Sequence, residues 1–199
     1  KIEYMIFPRM SALSEVLWSK KESRNWDNFE KRLSTQFERY NLWKVNYSKA
    51  YYDIQPLFSK AKNGRGIEVQ LTSNKKNESI YYNLDKKSSS FSLYKNEFTI
   101  SESTQLLFKS KSGNLQQVDF KFNKATGKLI IVNPLPTGSY MGDGAFTLVN
   151  GIQNTRGRMR DAEFIGYSGK DVEVIINLGK NENISSVALH AFESRASWI

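Results

Sequence analysis

Residues 1–43 repeat apolar side chains at the spacing of α-helices, whereas the chain from Ile67 onward alternates at the spacing of β-strands. A period near 3.6 residues predicts helix and a period of two predicts strand. The change of period near Tyr47 therefore divides the chain into a helical part and a β part. With 199 residues, the chain can form one large domain or two modest ones.

The helical part is predicted to be a hairpin of two helices, over 2–18 and 26–42. The second helix carries its apolar residues on one face: Trp26, Phe29, Leu33, Phe37 and Tyr40. Asn25 occupies its N-cap position, and Asp27 lies in the first turn, where the helix dipole favours a negative charge. The first helix has an apolar stripe wide enough to predict burial over most of its girth, and Pro8 predicts a kink or a fresh start. Both stripes need a partner surface.

The β part begins with six short alternating segments, over 67–71, 79–84, 91–94, 97–100, 105–108 and 118–122. Turn residues separate them, among them Asn63-Gly64 and Gly113-Asn114. Short strands with this spacing predict an antiparallel β-sandwich. Pro134-Leu135-Pro136-Thr137-Gly138 then has the composition of a linker. Apolar runs follow it, over 144–152, 163–167, 171–179 and 184–189, and we expect them to be β-strands.

Composition excludes several classes of site. The chain has no cysteine and one histidine, so disulfides, thiolate metal sites and multi-histidine metal sites are excluded. His190 lies in an apolar alternation and is predicted to sit on a strand face rather than in a catalytic triad. The net charge of +9 is densest at Arg156, Arg158 and Arg160. No nucleic-acid motif accompanies this cluster, so we expect a solvated surface and no nucleic-acid partner.

Targeting signals are absent from the chain as given. It has no apolar run of about 18 residues that predicts a membrane span, and no charged segment followed by an apolar one that predicts a signal peptide.

Three motifs together resemble one family. The pattern E-Y-M-x-F-P-R-x-x-A-L-x-E-x-x-W-S over 3–19, followed by R-x-W-x-x-F over 24–29, resembles the closing helical hairpin of the catalytic barrel in family-20 glycoside hydrolases, the β-N-acetylhexosaminidases or chitobiases. The run over 80–85 resembles part of the small β-domain that follows that barrel, without its usual Thr and Gly-Ser. The pattern D-x-E-x-x-I-x-L-G-x-x-x-x-I-S-x-V over 171–187 resembles a strand pair in the opening half of a discoidin-like (coagulation-factor type-C) jelly roll, which implies that 171–179 pairs with 184–189.

The resemblance implies a mainly β chain with an N-terminal helical hairpin, an antiparallel β-sandwich and a partial discoidin-like jelly roll. The implied domains are 1–49, the end of a catalytic (β/α)8 barrel; 50–133, the chitobiase-type β-sandwich; and 134–199, an incomplete discoidin-like domain. It also implies that the chain is the non-catalytic C-terminal region of an exported enzyme. The missing barrel would be a partner of the hairpin.

In that family, terminal N-acetylhexosamines are cleaved from glycans by a substrate-assisted retaining mechanism that needs an adjacent Asp and Glu. The chain contains no Asp-Glu dipeptide, so we expect no catalytic residues and no activity from the chain alone. Glu3, Glu15 and Arg9 are interpreted as structural, with Arg9 able to pair with Glu15 or with a barrel strand. Two alternatives stay open: a stand-alone carbohydrate-binding module, and a structural spacer.

The resemblance also points to two kinds of site. Sugars stack on exposed aromatic rings, for which the candidates are Tyr140, Phe164, Tyr167 and Trp198. Asn150, Asn154 and Thr155 occupy the place of a calcium loop in many discoidin-type modules, and oxygen donors on a glycine turn suit that ion. Asn150 removes the usual negative charge, so a plain β-turn is the alternative. No other cofactor is expected. Finally, the unpartnered apolar faces of the hairpin predict self-association through residues 1–43.

Overall fold

The computed structural model describes residues 1–62, 64, 66–85, 89–111, 113–136, 138–153 and 162–191. The chain divides into two compact units, residues 1–52 and residues 53–199. The first boundary lies three residues after the predicted boundary at 49. Helix and strand each account for 26% of the structure, and the sheets are antiparallel.

The first unit contains three α-helices and two short 3₁₀ helices, Lys21–Ser23 and Ala50–Tyr52. Helix α1 spans Ile2–Ile6, α2 spans Arg9–Trp18 and α3 spans Trp26–Leu42. The break between α1 and α2 confirms the effect predicted for Pro8. The bounds of α3 match the prediction, and so does its cap, because Asn25 Oδ1 accepts a hydrogen bond from the Asn28 N–H at 3.0 Å.

The core of the first unit lies between α3 and the segment that follows it. Its buried members are aromatic apart from one leucine: Leu33, Phe37, Tyr40, Tyr47 and Tyr52. The ring of Phe37 stacks on Tyr47 at a centroid distance of 5.1 Å and tilts against Tyr52 at 5.2 Å. Residues 44–52 therefore fold back on the apolar face of α3 and bury most of its stripe. Trp26, at the start of that stripe, remains 60% exposed.

Helices α1 and α2 contain no buried residue, so the predicted burial over most of their girth is wrong for this chain. The apolar face of α2 consists of Met10, Leu13, Val16 and Leu17, and we call it the α2 stripe. Its exposed fractions run from 47% for Met10 to 71% for Leu17. The reason is that α3 directs its own apolar face to residues 44–52, which leaves the α2 stripe without a partner.

Two antiparallel sheets form the main body of the second unit. The first has the order β1-β2-β5, with β1 at Ile54–Lys60, β2 at Ile67–Ser73 and β5 at Phe98–Ile100. The second has the order β4-β3-β6-β7, with β3 at Ile80–Asn83, β4 at Ser92–Leu93, β6 at Thr104–Ser110 and β7 at Gln116–Phe120. All six predicted strands are present. Strand β1, which precedes them, was not predicted.

Alternate side chains of both sheets meet in one apolar core. Its buried members come from six strands: Ile54, Ile67, Val69, Leu71, Ile80, Ile100, Leu106, Phe108 and Phe120. A shared core between two antiparallel sheets fits the predicted β-sandwich. No α-helix occurs among the described residues between 66 and 191.

The remaining part of the second unit contains one pair of strands. Strand β8, Leu129–Asn133, pairs in antiparallel fashion with β9, Glu173–Asn177. This pairing crosses the predicted domain boundary between 133 and 134, because β8 lies before the boundary and β9 lies after it. All five residues of β9 are exposed.

Three apolar runs after residue 134 are not strands as predicted. Residues Gly144–Val149 form a 3₁₀ helix, and 163–167 and 184–189 have no regular structure. Local side-chain bonds compete with strand formation in the first run. The Asp143 N–H donates to Thr147 Oγ1 at 2.8 Å, and the Ile152 N–H donates to Asn150 Oδ1 at 2.9 Å. The predicted pairing of 171–179 with 184–189 is wrong, because β9 pairs with β8 and 184–189 is not a strand.

Candidate functional site

A groove of about 460 Å³ lies between α2 and α3 in the first unit. We call it the hairpin groove. Helix α2 contributes Ser14, Glu15 and Trp18 to its lining, and α3 contributes Arg32, Gln36 and Arg39. These residues recur at helical spacing on each helix, and Phe29 and Leu33 of α3 also line the groove, so its walls are both polar and apolar. The volume falls within the range of small-molecule sites, about 300–1,000 Å³.

A bidentate ion pair joins the two helices at the groove. Arg32 Nη2 donates to Glu15 Oε1 at 2.6 Å, and Arg32 Nη1 donates to Glu15 Oε2 at 2.8 Å. The guanidinium lowers the pKa of the Glu15 carboxyl, and the carboxylate raises the pKa of Arg32. The hydroxyls of Ser11 and Tyr40 add a second link at 2.6 Å. Of the two partners considered for Arg9, Glu15 pairs with Arg32 instead, and Arg9 Nη1 donates to the Met5 carbonyl oxygen at 3.4 Å.

Trp18 stands at the end of α2 with 89% of its surface exposed. The backbone around it is held by Arg24, whose Nη2 donates to the Val16 carbonyl at 2.7 Å and whose Nε donates to the Ser19 carbonyl at 3.3 Å. A cation at the C-terminus of a helix also complements the helix dipole. The position of Trp18 is thus fixed while its ring remains open to solvent.

The charges of the hairpin groove do not cancel. Glu15 and Arg32 neutralise each other, whereas Arg39 forms no ion pair with any described residue. The groove therefore carries one surplus positive charge, from Arg39, and an exposed indole ring, from Trp18, toward its other end.

The residues predicted to bind sugar that the structure describes are less exposed than Trp18. Tyr140, Phe164 and Tyr167 are half-buried, and Trp198 lies outside the described residues. A Cβ added at Gly166 would lie 2.8 Å from the Cβ of Tyr140, so Tyr140 packs on the backbone beside Phe164 and Tyr167. The hydroxyl of Tyr167 is buried without a hydrogen-bond partner in the described part of the chain, and burial raises its pKa. All three described candidates are thus only partly exposed, and sugar binding by them stays a prediction.

The predicted calcium loop is described only at Asn150. This residue is 1% exposed, and its Oδ1 caps the turn by accepting the Ile152 N–H at 2.9 Å. That bond suits the alternative of a plain turn. Asn154 and Thr155 lie outside the described residues, so the calcium site stays a prediction. Within the described ranges, no group of three or more His, Asp or Glu residues is placed to hold a metal ion.

His190 is not on a strand, contrary to the prediction. It is exposed, in a segment without regular structure, and its Nε2 lies 2.8 Å from the Nε2 of Gln153. The loss of the predicted strand over 184–189 explains the difference. Arg156, Arg158 and Arg160 lie outside the described residues.

One lysine bridges two carboxylates in the second unit. Lys62 Nζ lies 3.1 Å from Glu68 Oε1 and also pairs with Glu97. Lys62 lowers the pKa of Glu97, and Glu97 is the main cause of the raised pKa of Lys62. Lys62 follows β1, Glu68 lies on β2 and Glu97 precedes β5. The two ion pairs therefore link all three strands of the first sheet. We interpret them as structural.

Comparison with models of known protein families finds none that matches this chain. None of the helices in the described part is long and apolar enough to cross a membrane. The hairpin groove was not predicted from the sequence, although its signal is present: Arg32, Gln36 and Arg39 form a polar stripe at steps of four and three residues.

Proposed function

We propose that this chain is the non-catalytic C-terminal region of an exported β-N-acetylhexosaminidase, and that its helical hairpin completes the catalytic barrel of that enzyme. The parent enzyme removes terminal N-acetylglucosamine or N-acetylgalactosamine from glycans. The observation that carries the proposal is the α2 stripe. A helix with a continuous apolar face and no buried residue needs a second surface.

Internal contacts of the first unit support a hairpin that is formed before it docks. Its α3 face is buried by its own aromatic core. The Asn46 N–H donates to Glu3 Oε2 at 3.0 Å, and the Ser48 N–H donates to the Phe7 carbonyl at 3.0 Å. These bonds tie the start of the unit to its end. The hairpin can therefore present the α2 stripe as a preformed surface rather than fold on contact.

A structural spacer is the second candidate for the β part. The observation that favours it is that Tyr140, Phe164 and Tyr167 are each half-buried rather than exposed. A spacer needs only a stable core, which the nine buried residues of the sandwich supply.

The coding DNA upstream of Lys1 provides the first test. We expect it to encode a last barrel strand with Trp-Thr-Glu and an earlier Asp-Glu pair. The upstream barrel and the present chain are then expressed as two polypeptides, and hydrolysis of an aryl N-acetyl-β-glucosaminide is measured.

The chain alone is expected to give no turnover, and the mixture is expected to be more active than the barrel alone. Leu13→Glu with Leu17→Glu should abolish the gain, whereas Leu57→Glu, at an exposed leucine of the second unit, should retain it. Turnover by the repurified chain alone, or an upstream frame that encodes no barrel, would contradict the proposal.

A further inference from the structure

The hairpin groove has a composition that the proposed function does not use. The barrel-completing role involves the α2 stripe. The groove lies on the other side of α2, between Trp18 of α2 and the arginines Arg32 and Arg39 of α3. The guanidinium groups of Arg32 and Arg39 are well solvated and need no ligand, whereas the exposed indole of Trp18 leaves an apolar surface in water. The combination nevertheless defines a specific chemistry for a molecule that enters the groove.

Each element of the groove matches one feature of a sugar. The indole of Trp18, 89% exposed, offers an apolar face against which the C–H groups of a hexose ring can pack. The Glu15–Arg32 pair keeps unused N–H donors and carboxylate lone pairs, because each atom of the bidentate contact uses only part of its hydrogen-bonding capacity. Vicinal hydroxyls of a sugar can fill these. Gln36 adds an amide beside them.

The surplus charge selects among sugars. Arg39 lines the groove and has no ion-pair partner in the described part of the chain. Its guanidinium is shaped to bind a carboxylate or a sulfate through two parallel hydrogen bonds. We infer that the hairpin groove is a binding site for an anionic oligosaccharide, in which Trp18 stacks on one hexose ring and Arg39, toward the other end of the groove, pairs with an acidic group on another sugar of the same oligosaccharide.

The test uses the full chain and three oligosaccharides of equal length. A hyaluronan tetrasaccharide carries carboxylates, a keratan sulfate tetrasaccharide carries sulfates, and a carboxyl-reduced hyaluronan tetrasaccharide is neutral but otherwise identical to the first. Affinity is measured by titration calorimetry. Tighter binding of either anionic sugar than of the neutral one is expected, and the two anionic arms identify whether a carboxylate or a sulfate is recognised.

Two variants and one control locate the site. Trp18→Ala and Arg39→Gln should each weaken binding about tenfold or more. Trp43→Ala is the matched control, because Trp43 is also an exposed tryptophan of the first unit, at 61%, and does not line the groove. Circular dichroism confirms that each variant keeps its helices. Binding that Trp18→Ala and Trp43→Ala weaken equally would show non-specific attraction to a chain of charge +9 and overturn the inference, as would equal binding of the neutral sugar or no binding at all.

Discussion

The α2 stripe predicts that the chain on its own associates through its helical hairpin. Leu13 is 50% exposed and Leu17 is 71% exposed. Two apolar residues of α1 are exposed as well, Ile2 at 75% and Met5 at 57%. Two copies that place this face against itself around a twofold axis would bury it on both sides, which is the commonest arrangement of homodimers. Changing Leu13 and Leu17 to Glu should prevent this association.

The size of the effect follows from the exposed fractions. Complete burial of a leucine side chain contributes about 1.5–3 kcal/mol, so the exposed parts of Leu13 and Leu17 contribute about 1–2 kcal/mol each. A twofold contact contains both residues from both copies, and losing all four removes roughly 4–8 kcal/mol. Each step of about 1.4 kcal/mol changes the dissociation constant tenfold. The double variant should therefore weaken the dimer by at least about three orders of magnitude.

Sedimentation velocity over a range of protein concentrations measures the effect. The unchanged chain should show a mass that rises with concentration, and the double variant should remain monomeric. Leu57→Glu controls for the added charge, because Leu57 is 54% exposed and lies on β1 in the second unit. A chain shortened to begin at Asp53 should also be monomeric. The reasoning fails if the unchanged chain is monomeric at all concentrations, or if the shortened chain associates as strongly as the full one.

Three further predictions concern stability, each measured by urea unfolding. Leu106 is fully buried between the sheets, so Leu106→Ala should cost about 2–5 kcal/mol, whereas Leu57→Ala should cost less than about 1 kcal/mol; equal losses would contradict the shared core. Gly64 and Gly66 both have positive φ, but only at Gly66 would a Cβ meet another atom, 2.2 Å from the Ile100 carbonyl oxygen. Gly64→Ala should therefore cost about 1 kcal/mol and Gly66→Ala about 3 kcal/mol or more, and a smaller loss at Gly66 would refute the close approach. Because Arg32 lowers the pKa of Glu15, the stabilisation from Glu15 is present above its unfolded pKa of about 4.3 and is lost as the pH falls through its folded pKa. The difference in unfolding free energy between the unchanged chain and Glu15→Gln, followed by tryptophan fluorescence, should vanish in acid. A difference that does not change with pH would refute the contribution of the ion pair.

Periodicity was sufficient for the elements whose partners are close in sequence. The apolar spacing from Trp26 to Tyr40 and the cap at Asn25 fixed α3. The alternation after Ile67 predicted six strands, and five of them contribute buried side chains to the core. Strand β4 is the exception, because both of its residues are exposed. Strand β1 escaped prediction because Pro56 interrupts it and Leu57 points outward at 54% exposure. Its place at the edge of the first sheet explains why a proline is tolerated there.

Contacts between distant segments could not be predicted from the pattern alone. Strand β9 has the alternating apolar residues of a strand, but its sequence does not indicate whether it pairs with 184–189 or with β8, and the structure has the second pairing. Likewise, Tyr140 was a candidate platform until its contact with Gly166 was known. The hairpin groove depends on how α2 and α3 meet, and the bidentate contact of Glu15 with Arg32 joins positions 17 residues apart.

The two proposals for the hairpin concern opposite faces of one helix and can be separated experimentally. Successive residues of an α-helix are rotated by about 100°, so Leu13 and Leu17 lie on one side of α2 and Glu15 and Trp18 face the groove. Substitutions on separate surfaces with no shared partner have independent effects. Leu13→Glu with Leu17→Glu should thus abolish association and leave the affinity for an anionic tetrasaccharide unchanged. Trp18→Ala should do the reverse. If either variant removes both properties while α3 remains folded, the two faces are coupled, and a single surface that includes Trp18 would have to account for both.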